Sequence, residues 1–258
     1  MIKIFKIGGN VVEDEALLEG FCRDFASVPS PKVLVHGGGV MASALQKALG
    51  QEPVKIDGRR VTDADALDAV TMCYGGLAAK KVCATLQKYG CNALSLSGCD
   101  GDAVRAVRRA PRKVSDGRTV DFGFVGDVKP MSVNAKLLKA LIGMGIVPVL
   151  NAINHDGNGQ LLNTNADTVA SSVAAALEGE LLCCFEMDGV LRDKNDPASV
   201  IPCIDPALYQ ELLADGSVSE GMIPKIENCF DALRCGASGA SILNAGKICS
   251  CPGTRITL

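Results

Sequence analysis

The chain has 258 residues, 48% of them hydrophobic and 4% aromatic, with 28 Gly, 12 Cys, two His, no Trp and a formal net charge of −3. That length supports a buried core without disulfide or metal staples, and the composition excludes collagen, coiled coil and disorder. No apolar run reaches the ~18 residues of a membrane span and no long basic cluster marks a nucleic-acid footprint, so neither partner is expected. Charge within the first six residues, Met1 to Lys6, argues against a secretion signal. The cysteines are scattered without a C-x-x-C pair, and the closest, Cys183-Cys184 and Cys249-Ser250-Cys251, fall in strand-like segments. They read as small apolar residues of a reducing, cytoplasmic compartment rather than as zinc or redox sites.

The aliphatic residues lie in short runs between glycines, as parallel strands buried on both faces do. Residues 1–7 read as a strand that ends at Gly8-Gly9. Residues 13–25 read as a helix, with Ala16, Leu17, Phe21 and Phe25 at helical spacing and Pro29 and Pro31 beyond its end. A second strand, 32–35, ends at His36-Gly37-Gly38-Gly39 and leads into a helix over 41–49. Two β-α units in succession, each with glycines at the carboxyl end of its strand, predict an α/β protein with a parallel open sheet.

Residues 51–62 suggest a hairpin, 63–89 are largely helical, and 93–96 form a strand. The segment 103–128 reads as hairpins, and its run Arg108-Arg109-Ala110-Pro111-Arg112-Lys113 as a solvated loop. Helix 133–144, strand 146–150, helix 166–177, strand 181–185, helices 207–213 and 223–235, and strand 240–244 follow. Residues 246–258 are expected to close with an edge hairpin. No linker interrupts the chain, so residues 1–258 read as one domain of two lobes with a soft boundary near 177–179.

Lys6-Ile7-Gly8-Gly9-Asn10 places a cation beside bare backbone N–H groups at a strand end, which suits a phosphate; a strand lysine before a tight turn reads equally well. His36-Gly37-Gly38-Gly39 is a second cradle on the same sheet edge, where ligands of parallel sheets bind. An esterase oxyanion hole is excluded by the lack of a G-x-S-x-G elbow. Neither a P-loop nor a dinucleotide fingerprint is present. In Gly58-Arg59-Arg60-Val61-Thr62-Asp63, a loop arginine reads either as a carboxylate binder or as a surface ion-pair partner. Asn165 suits the cap of the following helix and Asp167 its first turn, whereas Asn163 lies before that helix on the sheet edge. Lys225, after Pro224 at a helix start, is more comfortable with an anion between it and the helix.

These residues, taken in order, resemble the amino acid kinase family. The likeness runs through Lys6-Ile7-Gly8-Gly9, His36-Gly37-Gly38-Gly39, Gly58-Arg59-Arg60-Val61-Thr62 and Gly123-Phe124-Val125-Gly126-Asp127-Val128. It continues in Asn163-Thr164-Asn165-Ala166-Asp167, Asp188-Gly189-Val190-Leu191, Gly221-Met222-Ile223-Pro224-Lys225 and Gly253-Thr254-Arg255-Ile256. The G-x-R-V-T and N-x-N-A-D pieces are similar to the branch that phosphorylates N-acetylglutamate in arginine biosynthesis. The resemblance implies a three-layer αβα sandwich with a mostly parallel central sheet. The acyl amino acid is expected on an N-lobe of about 1–178 and ATP on a C-lobe of about 179–258.

By the same resemblance, Lys6 and Lys225 flank the transferring phosphoryl from the two lobes, with Asp167 between them as organiser. Arg60 takes the substrate's α-carboxylate, and Asn163, Gly38 and Gly39 complete that pocket. Gly8 and Gly9 are expected at the ATP phosphates. Glu186, Met187, Asp188, Gly189, Val190 and Leu191, with Ser217, Val218 and Ser219, are expected at the rest of the nucleotide. Mg²⁺ is implied on the ATP phosphates, with no metal site of the chain's own. The chain departs from the pattern at Phe185-Glu186-Met187-Asp188, where relatives carry Ser/Thr-Asp, and at Glu220, where they carry glycine. It begins on its first strand, without the N-terminal helix linked in this family to hexamers, which implies a homodimer insensitive to arginine. N-succinylglutamate, another substrate of the same fold, and a catalytically silent sensor are the alternatives.

Overall fold

The computed structural model describes residues 1–193, 195–218 and 221–258. Eight strands form the central sheet: β1 (Lys3–Ile7), β2 (Lys32–His36), β3 (Ala93–Leu96), β4 (Val147–Leu150), β5 (Glu180–Phe185), β6 (Cys203–Ile204), β7 (Gly239–Asn244) and β8 (Thr254–Ile256). Their spatial order is β6-β8-β7-β5-β1-β2-β4-β3. The pairs from β3 to β7 are all parallel, and β8 turns antiparallel to β7. Since β1 pairs β2 on one side and β5 on the other, the two expected lobes share one sheet.

Alternation along each strand feeds two cores. Ile4, Val33, Val35, Leu181 and Cys183 face one layer of helices, α6 (Ala135–Gly143), α7 (Ala166–Ala176), α8 (Pro206–Ala214) and α9 (Ile223–Arg234). Phe5, Ile7, Leu34, Leu182 and Cys184 face the other, which contains α1 (Gly9–Glu13), α2 (Glu15–Ser27) and α5 (Ala79–Lys88). Helices on both faces of a mostly parallel sheet give the three-layer α/β arrangement expected. Two further helices, α3 (Gly39–Ala48) and α4 (Ala64–Thr71), build a smaller cluster beside the sheet edge, and a π-helical turn, Met72–Ala78, joins α4 to α5.

Several expectations are corrected. The helix expected over 13–25 is α2, which starts two residues later because the Asp14 carboxylate accepts the Leu17 N–H at 2.9 Å and caps it, and the short α1 before it was not expected. The closing strand β8 is not an edge: it lies between β7 and β6, and β6 is the outer strand. A hairpin that pairs Ile153–His155 with Leu161–Asn163 is absent from the sequence reading. Asp156 Oδ1 forms its turn by accepting the N–H groups of Asn158 and Gln160. The cysteines are also not uniformly core residues. Cys183 and Cys184 are buried in β5, but Cys99, Cys203, Cys235 and Cys249 are exposed, and Cys249 to Cys251 lie in a turn rather than a strand.

One buried cation is purely architectural. Lys32 Nζ donates to the carbonyls of Phe25, Ala26 and Val28 at 2.6, 3.1 and 2.6 Å, and lies 4.6 Å from the Phe25 ring centroid. It thus satisfies the last carbonyls of α2, which a helix end otherwise leaves orphaned. Replacing it with methionine keeps the apolar stem but strands those acceptors, so Lys32→Met should cost about 2 kcal/mol. A lower urea midpoint at unchanged slope is the expected result.

Candidate active site

The carboxyl ends of β1 and β2 open into a cleft of about 810 Å³. Alternation decides what β1 sends into it: Lys6 shares a face with Ile4 and points toward α7. There its ammonium lies 2.6 Å from Asp167 Oδ1, with the side chains 9% and 20% exposed. Asp167 holds this position because α7 starts beside it, with Asn165 Oδ1 accepting the N–H groups of Asp167 and Thr168 at 2.7 and 3.3 Å. Burial pulls the Lys6 pKa down, and the Asp167 carboxylate more than reverses it, so the net shift is upward. Lys6 therefore stays a cation in a site that would otherwise discharge it.

The two glycine turns converge. A Cβ on Gly9 would lie 3.2 Å from the Gly39 nitrogen, so the turns after β1 and β2 touch through bare backbone. Tyr74 packs against the second turn, where a Cβ on Gly38 would lie 3.1 Å from its ring. Glu13 ties the turns together by accepting the Met41 N–H at 2.6 Å. His36 is fully buried, and Nδ1 donates to the Gly37 carbonyl at 2.9 Å. Burial holds its pKa below the ordinary range, so it is a neutral anchor for the glycine turn rather than a base.

Arg60 ends a hairpin, Lys55–Ile56 with Arg59–Arg60, and is 7% exposed. One terminal nitrogen donates to the Gly39 carbonyl and Ser43 Oγ, each at 2.8 Å, and the other to Gln46 Oε1. No carboxylate among the described residues lies within ion-pair distance of it, so α3 holds a buried guanidinium whose charge has no counterion. Asn163 is linked to the same wall, since its Nδ2 donates to Thr62 Oγ1 at 3.0 Å. The loop between them requires glycine at 123, where φ is +72° and a Cβ would meet the Thr62 carbonyl at 2.3 Å.

Lys6, Gly8, Gly9, Gly38, Gly39, Arg60, Asn163 and Asp167 all line this cleft, so the structure brings these eight residues together. Lys225 does not line it: Pro224 does, while Lys225 Nζ donates to the Gly221 carbonyl at 2.9 Å and lies 5.2 Å from the Phe185 centroid. Asp167 thus pairs with Lys6 and not with both lysines. The residues expected around the rest of the nucleotide are outside the cleft lining. Asp188 pairs with Lys247 at 2.8 Å and accepts from Asn244 at 2.6 Å, and Glu186 accepts from Asn10 at 2.6 Å. Val190, Leu191 and Val218 are buried in the core or beside it, Met187, Gly189 and Ser217 lie outside the lining, and Ser219 lies outside the described residues. Sequence reasoning missed Glu13, Ser43, Gln46 and Tyr74, whose roles arise only when α1, α3 and the π-helical turn pack together.

The profile described as the amino acid kinase family matches residues 1–244. The chain belongs to the amino acid kinase family. It is 47% identical to an acetylglutamate kinase of Bacteroides thetaiotaomicron, across 99% of this chain and 98% of that one. An acetylglutamate kinase of Methanopyrus kandleri is 38% identical, across 99% and 100%. Among solved structures, smu.665 from Streptococcus mutans superposes with a TM-score of 0.78 at 27% identity, covering 99% of this chain and 98% of that one. The carbamate kinase of Giardia lamblia bound to AMP-PNP, at 14% identity and a TM-score of 0.69 over 99% and 97%, shares the fold.

The Lys6 pair has a pH consequence. Its raised pKa means that the pair's stabilisation is complete below about pH 10.5 and is lost only as pH rises through the higher folded value. Asp167→Asn leaves burial unopposed and should move the Lys6 pKa below its ordinary value. A pH-rate profile should then show a new alkaline fall in kcat for Asp167→Asn; an unmoved profile would sink the assignment.

Proposed function

We propose that the chain transfers the γ-phosphoryl group of ATP to the side-chain carboxylate of N-acetyl-L-glutamate, a phosphorylation of arginine biosynthesis. The observation that carries this reading is the pairing, in one cleft, of a buried cation at two glycine turns with Arg60, a buried guanidinium without a counterion among the described residues. The near full-length likeness to acetylglutamate kinases selects the amino acid.

A carboxylate is already ionised at neutral pH and needs no general base. Its oxygen forms the new P–O bond, the bond from the γ-phosphorus to the bridging oxygen breaks, and ADP leaves with that electron pair. The product is an acyl phosphate. Charge neutralisation and alignment are what such a transfer asks of the chain. Lys6 supplies fixed positive charge at the phosphoryl group, and the amides of Gly8, Gly9 and Gly38 supply fixed dipoles. Asp167 is a positioning residue that keeps Lys6 protonated and aimed. Arg60 and Asn163 hold the α-carboxylate end, with the Gly39 turn beneath them. Lys225, one residue from Pro224 in the cleft wall, reaches the phosphoryl by giving up the Gly221 carbonyl for a phosphate oxygen.

Mg²⁺ would arrive on the nucleotide phosphates and would supply further positive charge there, as a hard cation does, with Lys6 holding the phosphoryl end of the cleft. The nucleotide extends over residues 179–258, with Glu186 to Leu191 and Ser217 to Ser219 nearest to it, and the acyl amino acid over residues 1–178. The protein works in the cytoplasm as a homodimer. In support, β3 leaves one side unpaired at the sheet edge, with Leu94 on it and Met72 and Leu77 nearby all exposed.

ADP release with N-acetyl-L-glutamate and ATP, and little with free glutamate, tests the reading; no turnover with the acylated amino acid would defeat it. Lys6→Ala should lower kcat by at least ~10²-fold, the cost of losing one preorganised charge donor. Arg60→Ala should act mainly on KM for the acylglutamate, by ~10-fold or more, because it removes a charge-assisted contact made before and during transfer. A collapsed kcat at unchanged KM would refute that role.

A further inference from the structure

The cleft contains one hydrogen-bond donor that the reaction described above leaves unused. Tyr74 lines the cleft and is 6% exposed, and its hydroxyl proton is given to no acceptor among the described residues. An O–H buried without an acceptor costs free energy that a bound ligand recovers. Burial raises the Tyr74 pKa above the ordinary tyrosine value, so the group is a neutral O–H donor through neutral pH.

The place of this hydroxyl follows from the π-helical turn Met72–Ala78. Buried residues on the stretch recur at every fourth position, Val70, Tyr74, Ala78 and Val82. In a strict α-helix a four-residue step overshoots a full turn by about 40°, so such a stripe winds away from its neighbour. A π-helical turn, closed by i→i+5 bonds, is wider and absorbs part of that drift. It thereby keeps Tyr74 on the glycine turn after β2. A Cβ on Gly38 would lie 3.1 and 3.2 Å from ring carbons Cδ1 and Cε1, and one on Gly39 would lie 3.9 Å from the Tyr74 oxygen. The adjacent Cys73 donates through Sγ to the Gly38 carbonyl at 3.9 Å.

Gly39 is also where Arg60 is anchored, and that anchorage consumes its fork. A guanidinium has five N–H groups. Arg60 spends both hydrogens of Nη2 on the Gly39 carbonyl and Ser43 Oγ, and one of Nη1 on Gln46 Oε1. Two parallel bonds to a carboxylate require either Nε with Nη2 or Nη1 with Nη2. Both arrangements need Nη2, whose hydrogens are taken. A carboxylate that meets Arg60 with these bonds intact therefore gains a counterion but leaves one oxygen in need of another donor. The Tyr74 hydroxyl stands at the same glycine.

We propose that Tyr74 is a substrate-binding residue whose hydroxyl donates to the α-carboxylate of the acylglutamate, at the oxygen that the spent fork of Arg60 leaves unmatched. This inference rests on the phosphotransfer reading and adds no bond-making step to it. Its consequence is selectivity for an acylated amino acid that carries an α-carboxylate over the same molecule without one.

The test compares the unaltered chain with Tyr74→Phe, which keeps the ring against Gly38 and removes only the hydroxyl. Two substrates are used, N-acetyl-L-glutamate and N-acetyl-4-aminobutyrate, which retains the reacting carboxylate and lacks the α-carboxylate. Tyr74→Phe should lower the ratio of kcat/KM for the first over the second about tenfold, the scale of one hydrogen bond to a charged group. The fall should come from KM for N-acetyl-L-glutamate, with KM for ATP unmoved. The ratio does not depend on how much of the variant folds, since both substrates meet the same preparation. An unmoved ratio would overturn the assignment and leave the kinase reading standing. Where the analogue turns over too slowly to measure, the two KM values decide: a rise for N-acetyl-L-glutamate alone supports the contact, and a rise in both or in neither overturns it. Absence of turnover of N-acetyl-L-glutamate by the unaltered chain would overturn the kinase reading itself and this inference with it.

Discussion

The ion pair between Lys6 and Asp167 is the constraint on which the rest of the cleft depends. A lysine on a central strand of a two-sided sheet has no route to water along its own strand, so its charge survives only if a carboxylate is delivered to the same face. That delivery takes three separate elements. The hairpin 153–163 sets the start of α7, Asn165 caps it, and Asp167 occupies the first turn, where the helix dipole also favours an acid. Moving any of these by one residue would turn the carboxylate away and leave a buried cation unopposed.

The cleft is then rigid on one side and lightly held on the other. At the Arg60 end, hydrogen bonds to Gly39, Ser43, Gln46 and Thr62 fix Arg60 and Asn163 before any ligand arrives. Preorganisation of this kind lowers the ordering cost of binding a small polyanion. At the opposite end, Lys225 is tied to one carbonyl and one aromatic face. A cation so held changes partners easily, which is what the proposed approach of Lys225 to a phosphoryl group would require.

Much of this was legible in the residues. Strand ends marked by Gly8-Gly9 and Gly37 to Gly39, helical spacing after each, and aliphatic runs between them specify β-α units locally, and the parallel sheet follows from their repetition. The same signals fail where structure depends on partners distant in sequence. The turn Asp156 to Gln160 carries its own Asx hydrogen bonds, yet the hairpin it closes pairs strands of three residues, too short to show alternation. The position of β8 between β7 and β6 is likewise set by pairing across the sheet and not by its own three residues.

By itself the sequence determined the class of fold, the two glycine cradles, and the identity of Lys6, Asp167 and Arg60 as groups worth explaining, because backbone freedom and strand or helix period are local properties. Only the tertiary structure decided which charges are partnered. It gave Lys6 to Asp167 and left Lys225 on a carbonyl. It also drew Arg109, part of a run that reads as solvated, into the cleft. Charge becomes chemistry through distance and dielectric, and both are fixed by residues far apart along the chain.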